Sequence, residues 1–264
     1  MNEMQIMINE IKNWIKEAAD LVKEEIAKND MTVDTKEGRK DLVTSVDKKV
    51  QDFLIKQIND FDPEAKILAE EDGCDHLNDF SGRVFVIDPI DGTLNFVLEK
   101  ENFCIMIGVY EEGRGKLGFV YNVMQDHLLW GGREIGVFIN EENLTVPKDL
   151  SLKDGLVGMN SSMYRKNAYN AQIMAERSMG VRMSGCAGME LIGLIKGERN
   201  AYVSSLAPWD YAAGSIMLEA LGMKFSDING EPLKFDGREL FMAGTPSAYK
   251  EMRALVEQSE TENS

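Results

Sequence analysis

The sequence contains few residues of several types, and each shortage narrows the possible functions. Its 264 residues include only three cysteines and two histidines. The cysteines, Cys74, Cys104 and Cys186, are odd in number and far apart. This spacing predicts neither a disulfide framework nor a cysteine metal cluster, and it favours a reducing cytoplasm.

Long hydrophobic runs are also lacking. No stretch approaches the roughly 18 uninterrupted apolar residues that a membrane span needs. The N-terminus lacks the basic start and apolar block of a signal peptide. We therefore expect a soluble protein without a membrane partner, and its length suits one large domain or two small ones.

Positive charge is the third shortage. Only 29 Lys and Arg face 45 Asp and Glu, which gives a formal net charge of −16. An acidic surface repels nucleic-acid backbones and anionic membranes, so neither is an expected partner. An enzyme acting on phosphates would face the same repulsion, and bound metal ions would resolve it locally.

Hydrophobic periodicity indicates a mixture of helices and strands. Apolar residues recur at helical spacing from Met4 to Ile26, and short apolar runs bounded by Gly, Asp and Asn indicate strands. A polar break at 147–154 is the best candidate boundary between halves. The predicted helices cover 4–26, 48–59, 168–179, 189–195 and 211–221; the strands cover 66–70, 84–87, 103–110, 117–123, 156–159 and 200–203, with others near Phe225 and Phe241; 29–40 is a loop and 258–264 a frayed tail.

Four acidic features lie at predicted strand ends or helix starts: Glu70 with Glu71, Asp88 with Asp91, Asp210, and Asp47. Oxygen ligands without nearby His or Cys suit Mg²⁺ or Mn²⁺ better than zinc. Two such ions, about 3.5–4 Å apart, can stabilise both the attacking and the leaving oxygen of a phosphoryl transfer.

Each feature taken alone has an ordinary structural interpretation. Asp-Pro and Asp-Gly are common turn formers, so the motif D-P-I-D-G-T at 88–93 is structural about half the time on that ground. Asp210 and Asp47 are well placed as helix N-caps, and Glu70 with Glu71 suits a solvated turn. The hypothesis of a metal site therefore depends on all four features occurring together.

The order of these motifs resembles the inositol monophosphatase family of lithium-sensitive, magnesium-dependent phosphatases. The motifs are D-L-V-T-x-x-D at 41–47, E-E at 70–71, D-P-I-D-G-T-x-N-F at 88–96 and P-W-D-x-A-A-G at 208–214. The resemblance spans nearly the whole chain, and the block at 88–93 is highly specific.

The resemblance implies roles for matching positions. Glu70, Asp88 and the Ile90 carbonyl would hold one metal ion, Asp88, Asp91 and Asp210 a second, and Glu70 would also reach a third. Thr93, paired with Asp47, would orient and deprotonate the attacking water, which makes Thr93, Asp47 and Glu70 the implied catalytic residues. The backbone N–H groups of Gly92 and Thr93 would hold phosphate oxygens, and the segment with Gly185, Cys186 and Ala187 would face the substrate. Lys36 lies in the loop that closes over the site in relatives.

The implied fold is α+β, an alternating αβαβα layered sandwich. An N-terminal half, residues 1–147, would carry most ligands, and a C-terminal half, residues 148–264, would supply Asp210 and substrate loops. Relatives are commonly homodimers, and the resemblance implies hydrolysis of a small phosphorylated metabolite.

Substrate choice stays open at this point. Relatives that act on inositol phosphates carry a glutamate seven residues before the Trp-Asp aspartate, where it binds ring hydroxyls. That position is Val203 here, or Ser204 or Ser205 if the alignment slips. We therefore expect a weak preference for inositol phosphates, with NADP 2′-phosphate, fructose 1,6-bisphosphate and 3′-phosphoadenosine 5′-phosphate as alternatives.

Two other classes of protein are less favoured. A non-catalytic metal-binding regulatory protein would be indicated if a ligand were missing, but all are present. A two-metal nuclease is disfavoured by the negative charge and by the absence of a basic stripe.

Overall fold

The computed structural model describes residues 2–28, 32–35, 42–71 and 73–262, with side chains as far as Ser259. Lys36 and Asp41 lie outside these ranges, so the expected lid residue is not placed. Within the described residues, no helix combines the length and the apolar character required to cross a membrane.

The first large sheet has seven strands in the order β3-β4-β5-β6-β7-β8-β9. The β3–β4 pair is parallel and the remaining pairs are antiparallel. The elements of this part are α1 (Glu3–Lys28), β1 (Val33–Thr35), β2 (Leu42–Thr44), α2 (Ser45–Phe61), β3 (Lys66–Ala69), β4 (Arg83–Asp91), α3 (Thr93–Leu98), β5 (Cys104–Glu111), β6 (Arg114–Asn122), β7 (His127–Gly132), β8 (Gly136–Ile139) and β9 (Glu142–Asn143).

The second sheet has five strands in the order β11-β10-β12-β14-β13. Strand β10 runs parallel to both of its neighbours, whereas β14 is antiparallel to β12 and β13. The elements are β10 (Leu156–Met159), α4 (Ser161–Lys166), α5 (Ala171–Arg177), β11 (Gly180–Arg182), α6 (Ala187–Ile195), β12 (Ala201–Leu206), α7 (Pro208–Ala220), β13 (Lys224–Asp227), β14 (Glu239–Gly244) and α8 (Pro246–Glu262).

Apolar cores stack these elements into alternating layers. Helices α1 and α2 cover one face of the seven-stranded sheet, because their buried residues share its core with residues of β4 to β7. Helices α6 and α7 lie between the two sheets, and α8 covers the far face of the second sheet. The layers follow the order αβαβα, which confirms the expected fold class.

Helix α7 lies very close to the first sheet. A Cβ added at Gly118 of β6 would come within 2.1 Å of the Ala213 carbonyl oxygen, and one at Gly108 of β5 within 3.2 Å of the Ala213 nitrogen. Only glycine fits at this separation of backbones. Because the helix begins two residues before Asp210, this contact positions that aspartate relative to the first sheet.

Several predicted boundaries change in the structure. The polar segment after α1 contains the described strand β1, which pairs with β2, so a loop over all of 29–40 is wrong. The predicted helix 168–179 is a 3₁₀ turn at Ala168–Asn170 followed by α5. The tail at 258–264 is helical in α8 as far as Glu262, so fraying from Gln258 is also wrong.

The proposed division at residue 147 stays a prediction. The core between the sheets contains Met106 and Val120 from before this point and Leu191 and Tyr211 from after it. Apolar burial is therefore continuous across the boundary.

Candidate active site

Strand β4 carries the two central aspartates. Pairing with β5 is regular to Asp88, shifts register, and resumes at Asp91, so the strand extends beyond its predicted end at Ile87. The bulge accommodates Pro89 and Ile90 between the two carboxylates. Asp88 is 1% exposed and Asp91 7% exposed, and the two residues flank the strand's irregular segment.

Asp88 is a buried carboxylate without a hydrogen-bond donor in the described part of the chain. Neither of its oxygens accepts a hydrogen bond from a described residue. Burial raises its pKa well above the usual value, and the negative charges of Glu70, Asp91, Asp210 and Asp47 raise it further. A buried carboxylate without donors is costly unless a cation or a proton compensates it. The carboxylate oxygens of Asp88 and its acidic neighbours therefore fit a hard divalent cation.

Asp91 is fixed by the start of α6. Its Oδ1 accepts the Ala187 amide at 3.2 Å, and its Oδ2 accepts the Cys186 thiol at 3.0 Å and the Gly188 amide. Burial raises the pKa of Asp91, and these three donors oppose the shift. Cys186 and Ala187, expected to face the substrate, line a surface cavity together with Asp91, but their donors are directed to the Asp91 carboxylate.

Asp210 joins this pair from the second half of the chain. Carboxylate oxygens of Asp88, Asp91 and Asp210 lie within 4.8 Å of one another. Asp210 is not the N-cap of α7: Ala207 occupies the cap, and its amide donates to the Asp210 carboxylate at 2.8 Å. Burial, followed by repulsion from Asp91, raises the pKa of Asp210 to about 7, and Arg238 opposes the shift.

Glu70 lines the same cavity as Asp91 and Asp210. It follows β3, which is parallel to β4. Gln51 of α2 fixes this turn with two hydrogen bonds of 2.8 Å to the Glu71 backbone, one donated to the carbonyl and one accepted from the amide. Gln51 was missed, although a polar residue between Val50 and Leu54 on a core-facing helix was an available signal.

Thr93 and Asp47 form the expected pair. The Thr93 hydroxyl lies 3.1 Å from Asp47 Oδ1 and 3.0 Å from the Ile90 carbonyl oxygen. Since a hydroxyl has one hydrogen, these two acceptors compete for it. If the Ile90 oxygen ligates a cation, the Thr93 hydroxyl donates its hydrogen bond to Asp47.

A capping box holds Asp47 in place. Thr44, not Asp47, is the N-cap of α2: its hydroxyl accepts the Asp47 amide, and the Asp47 carboxylate accepts the Thr44 amide at 2.9 Å. Asp47 is fully buried. Burial raises its pKa, while hydrogen bonds from Thr44 and Thr93 oppose the change. The sequence pattern T-x-x-D therefore both caps a helix and aims a carboxylate at Thr93.

An open cavity of 390 Å³ lies over these groups, and Gly92, Thr93 and Gly185 line it. Gly92 adopts φ +88°, and a Cβ there would come within 2.9 Å of Cys186. The described lining of the cavity includes one cation, Arg238, and four carboxylates, from Glu70, Asp91, Glu190 and Asp210. An anionic substrate would be repelled here unless cations were bound.

Strand β12 corrects the expectation about Val203. The Val203 side chain is fully buried in the core beneath α8, so it does not face the substrate. Ser204 lines the cavity instead, because neighbouring strand residues point to opposite faces, and Ser205 borders the cavity near the end of the strand. A carboxylate is nevertheless close by: Glu190, which was missed, lines the cavity, lies 2.5 Å from Arg199 and accepts the Ser184 amide at 2.8 Å.

Asn95 is a third missed residue. It is 7% exposed, and its amide donates to the carbonyls of Asn102 at 3.0 Å and Ser184 at 2.8 Å. It therefore connects α3 to the segment that precedes Gly185. Its place in the block at 88–96 was visible in the sequence, but this role was not.

Converging buried carboxylates, a hydroxyl–carboxylate pair and an open cavity together define a cation-dependent hydrolase of anionic substrates. The model of the inositol monophosphatase family matches residues 3–262. An inositol-1-monophosphatase of Bacillus subtilis is 36% identical over 249 residues, covering 92% of this chain and 94% of that protein. A fructose-1,6-bisphosphatase/inositol-1-monophosphatase of Thermotoga maritima is 33% identical, covering 75% and 76%.

A crystal structure of an inositol monophosphatase/NADP phosphatase with Mg²⁺ and phosphate superposes with a TM-score of 0.89 at 27% identity, covering 96% of both chains. The chain belongs to the inositol monophosphatase family and is a phosphoric monoester hydrolase. The family and the enzyme class expected from the motifs are confirmed.

Proposed function

We propose that the chain is a Mg²⁺-dependent phosphomonoesterase that accepts inositol monophosphate together with other small phosphate monoesters. The observation that carries the proposal is Asp88, whose two unpartnered oxygens lie buried among other carboxylates below an open cavity. The names of the B. subtilis and T. maritima relatives support the substrate class.

The ligands would be Glu70, Asp88, the Ile90 carbonyl, Asp91 and Asp210, holding two or three ions, with Mn²⁺ as a substitute. Bound there, the ions would activate water and neutralise charge on the phosphate. Thr93 would accept a hydrogen bond from that water while donating to Asp47. Gly92 and Thr93 would contact the phosphate, and Gly185, Cys186 and Ala187 would border the substrate.

A broad substrate range is supported by the lining of the cavity. Ser204 and Ser205 offer neutral hydroxyls where a carboxylate would otherwise bind ring hydroxyls, and Glu190 is already paired with Arg199. Hydrogen bonds to charged groups contribute about 1.5–3 kcal/mol, more than those between neutral groups. Inositol should therefore gain little over other alcohols.

The test is phosphate release, with Mg²⁺ titrated, from inositol 1-phosphate, NADP, fructose 1,6-bisphosphate and 3′-phosphoadenosine 5′-phosphate. We expect turnover of inositol 1-phosphate and at least one other substrate within about tenfold, abolished by EDTA. Asp91→Asn should lose turnover, whereas the exposed Asp52→Asn, with the same change of charge, should not. Activity in EDTA, or high selectivity for inositol 1-phosphate alone, would contradict the proposal.

Assembly, inhibition and location belong to the same proposal. We expect a homodimer, supported by exposed Leu98, Met179 and Met183, which are 72%, 73% and 43% exposed. We also expect inhibition by Li⁺ and a cytoplasmic location, which the three free cysteines favour. Sedimentation, a Li⁺ titration and fractionation test these expectations separately.

A further inference from the structure

A second cavity, of 680 Å³, shares no lining residue with the catalytic one. It lies where the β5–β6 hairpin, the turn between β7 and β8, helix α7 and strand β13 meet. Its volume is within the range of about 300–1,000 Å³ that small-molecule sites occupy. The catalytic reaction proposed above makes no use of it.

Cations line one part of this cavity. Arg114 and Lys116 lie two residues apart on β6, and Arg133 lies in the turn after β7. Lys116 pairs with Glu134 at 2.9 Å, but the side chains of Arg114 and Arg133 make no ion pair or hydrogen bond with described residues. The charged lining consists of these three cations and two carboxylates, Glu134 and Glu219. In a chain of net charge −16, this is a locally basic site.

Aromatic rings line another part. Phe225 and Phe235 are half-buried, and the Phe235 ring lies 5.2 Å from that of buried Tyr110. Half-buried rings at a cavity wall offer faces on which a planar group can stack.

The Ser215 hydroxyl supplies an independent polar feature. Ser215 lines the cavity and is 3% exposed, yet its hydroxyl has no hydrogen-bond partner among the described residues. A buried hydroxyl normally has a partner, and leaving it without one is unfavourable. Its position at the cavity points to a polar group of a ligand as the missing partner.

We propose that this cavity binds a nucleotide, with its phosphates at Arg114 and Arg133 and its base against Phe225 and Phe235. Arginine suits phosphate because its planar group donates two parallel hydrogen bonds. Neither an inorganic anion nor an apolar molecule would use both parts of the lining. A nucleotide combines multiple negative charges with a flat ring, as the lining requires.

The test is calorimetric titration of the Mg²⁺-loaded full chain with adenosine 5′-(α,β-methylene)diphosphate, which contains no phosphate monoester to hydrolyse. We expect saturable binding that weakens at least tenfold in the double variant Arg114→Gln, Arg133→Gln. The control double variant Arg165→Gln, Arg177→Gln removes the same charge from exposed positions on α4 and α5. It should bind within twofold of the unmodified chain.

Two further arms separate this site from the catalytic one and from simple anion binding. Asp91→Asn should bind the probe as well as the unmodified chain does, while methylenediphosphonate and adenosine alone should each bind at least tenfold more weakly. Circular dichroism establishes that each variant is folded. No binding at millimolar probe, equal affinity in the two double variants, loss of binding in Asp91→Asn, or equally tight methylenediphosphonate would overturn the proposal.

Discussion

The two cavities differ in how their charges are compensated. In the catalytic cavity, Asp88, Asp91 and Asp210 are held together in a buried place where like charges repel, and the pKa of each is raised. In the second cavity, Arg114 and Arg133 are exposed, so water compensates them at little cost. Buried and uncompensated charge thus indicates that a tightly held counterion is needed. Exposed charge that water already compensates indicates a ligand that binds and dissociates readily.

The largest expected effect comes from Asp88→Asn. Turnover should fall by at least about a thousandfold, because a charged ligand of the metal site is lost and each tenfold costs about 1.4 kcal/mol. The metal-free variant should nevertheless melt several degrees higher than the unmodified chain, since one repelling carboxylate has been removed. Scanning calorimetry in EDTA measures this, and a lower melting temperature there would contradict the comparison between the cavities.

Removing the Thr93 hydroxyl should have the next largest effect. Thr93→Val should lower kcat about a hundredfold, because proton transfer by a positioned group contributes about 10²–10⁴-fold. Thr93→Ser keeps the hydroxyl and should retain most of the activity. Steady-state kinetics at saturating Mg²⁺ measure both variants, and equal losses in the two would contradict a special role of the hydroxyl, because the methyl group would then matter as much.

Gly118→Ala tests the packing that brings Asp210 to the site. The added methyl meets the Ala213 carbonyl, so α7 must move, at a cost of about 1–3 kcal/mol for overpacking. Turnover should fall about tenfold. Gly180→Ala is the matched control, because a Cβ there would make only an ordinary contact, 3.5 Å from Leu156. Full activity of Gly118→Ala with a lowered melting temperature would contradict the prediction, because the packing of α7 would then affect stability but not turnover.

The last prediction leaves turnover aside and concerns the metal-free protein, whose stability should depend on pH. The pKa of Asp210 is raised to about 7 in the folded chain, so between about pH 4 and 7 unfolding releases its proton. Stability should therefore fall as pH rises through this interval, by up to about 1.4 kcal/mol per pH unit from this group. Saturating Mg²⁺ should remove the trend. Thermal melts from pH 5 to 8 with and without Mg²⁺ measure it, and a rising trend in EDTA would contradict the assignment.

Local sequence motifs were sufficient to predict which acidic residues the structure brings together in the candidate site. The block at 88–93 and the acidic residues around it suggested the ligands, and the structure brings Asp88, Asp91 and Asp210 together. The family and the layered fold followed from the order of the motifs. The roles of individual ligands stay predictions, because they depend on bound ions.

Other features depended on register and on distant contacts. Val203 was counted seven residues back from Asp210, but strand alternation places Ser204 at the cavity instead. Helix α8 was overlooked although Ala248, Met252, Leu255 and Val256 follow helical spacing. The second cavity could not be foreseen, since its lining comes from segments as far apart as Tyr110 and Tyr249.

The glycines beneath α7 have a consequence for how activity is lost. Because Asp210 reaches Asp88 and Asp91 only while the helix lies against Gly108 and Gly118, the ligand set exists only when both halves of the chain are docked. A fragment ending near residue 147 would contain Asp47, Glu70, Asp88, Asp91 and Thr93, yet it would be inactive. Metal affinity would then report on the integrity of the whole fold, because the residues that would hold Mg²⁺ come from both parts of the polypeptide.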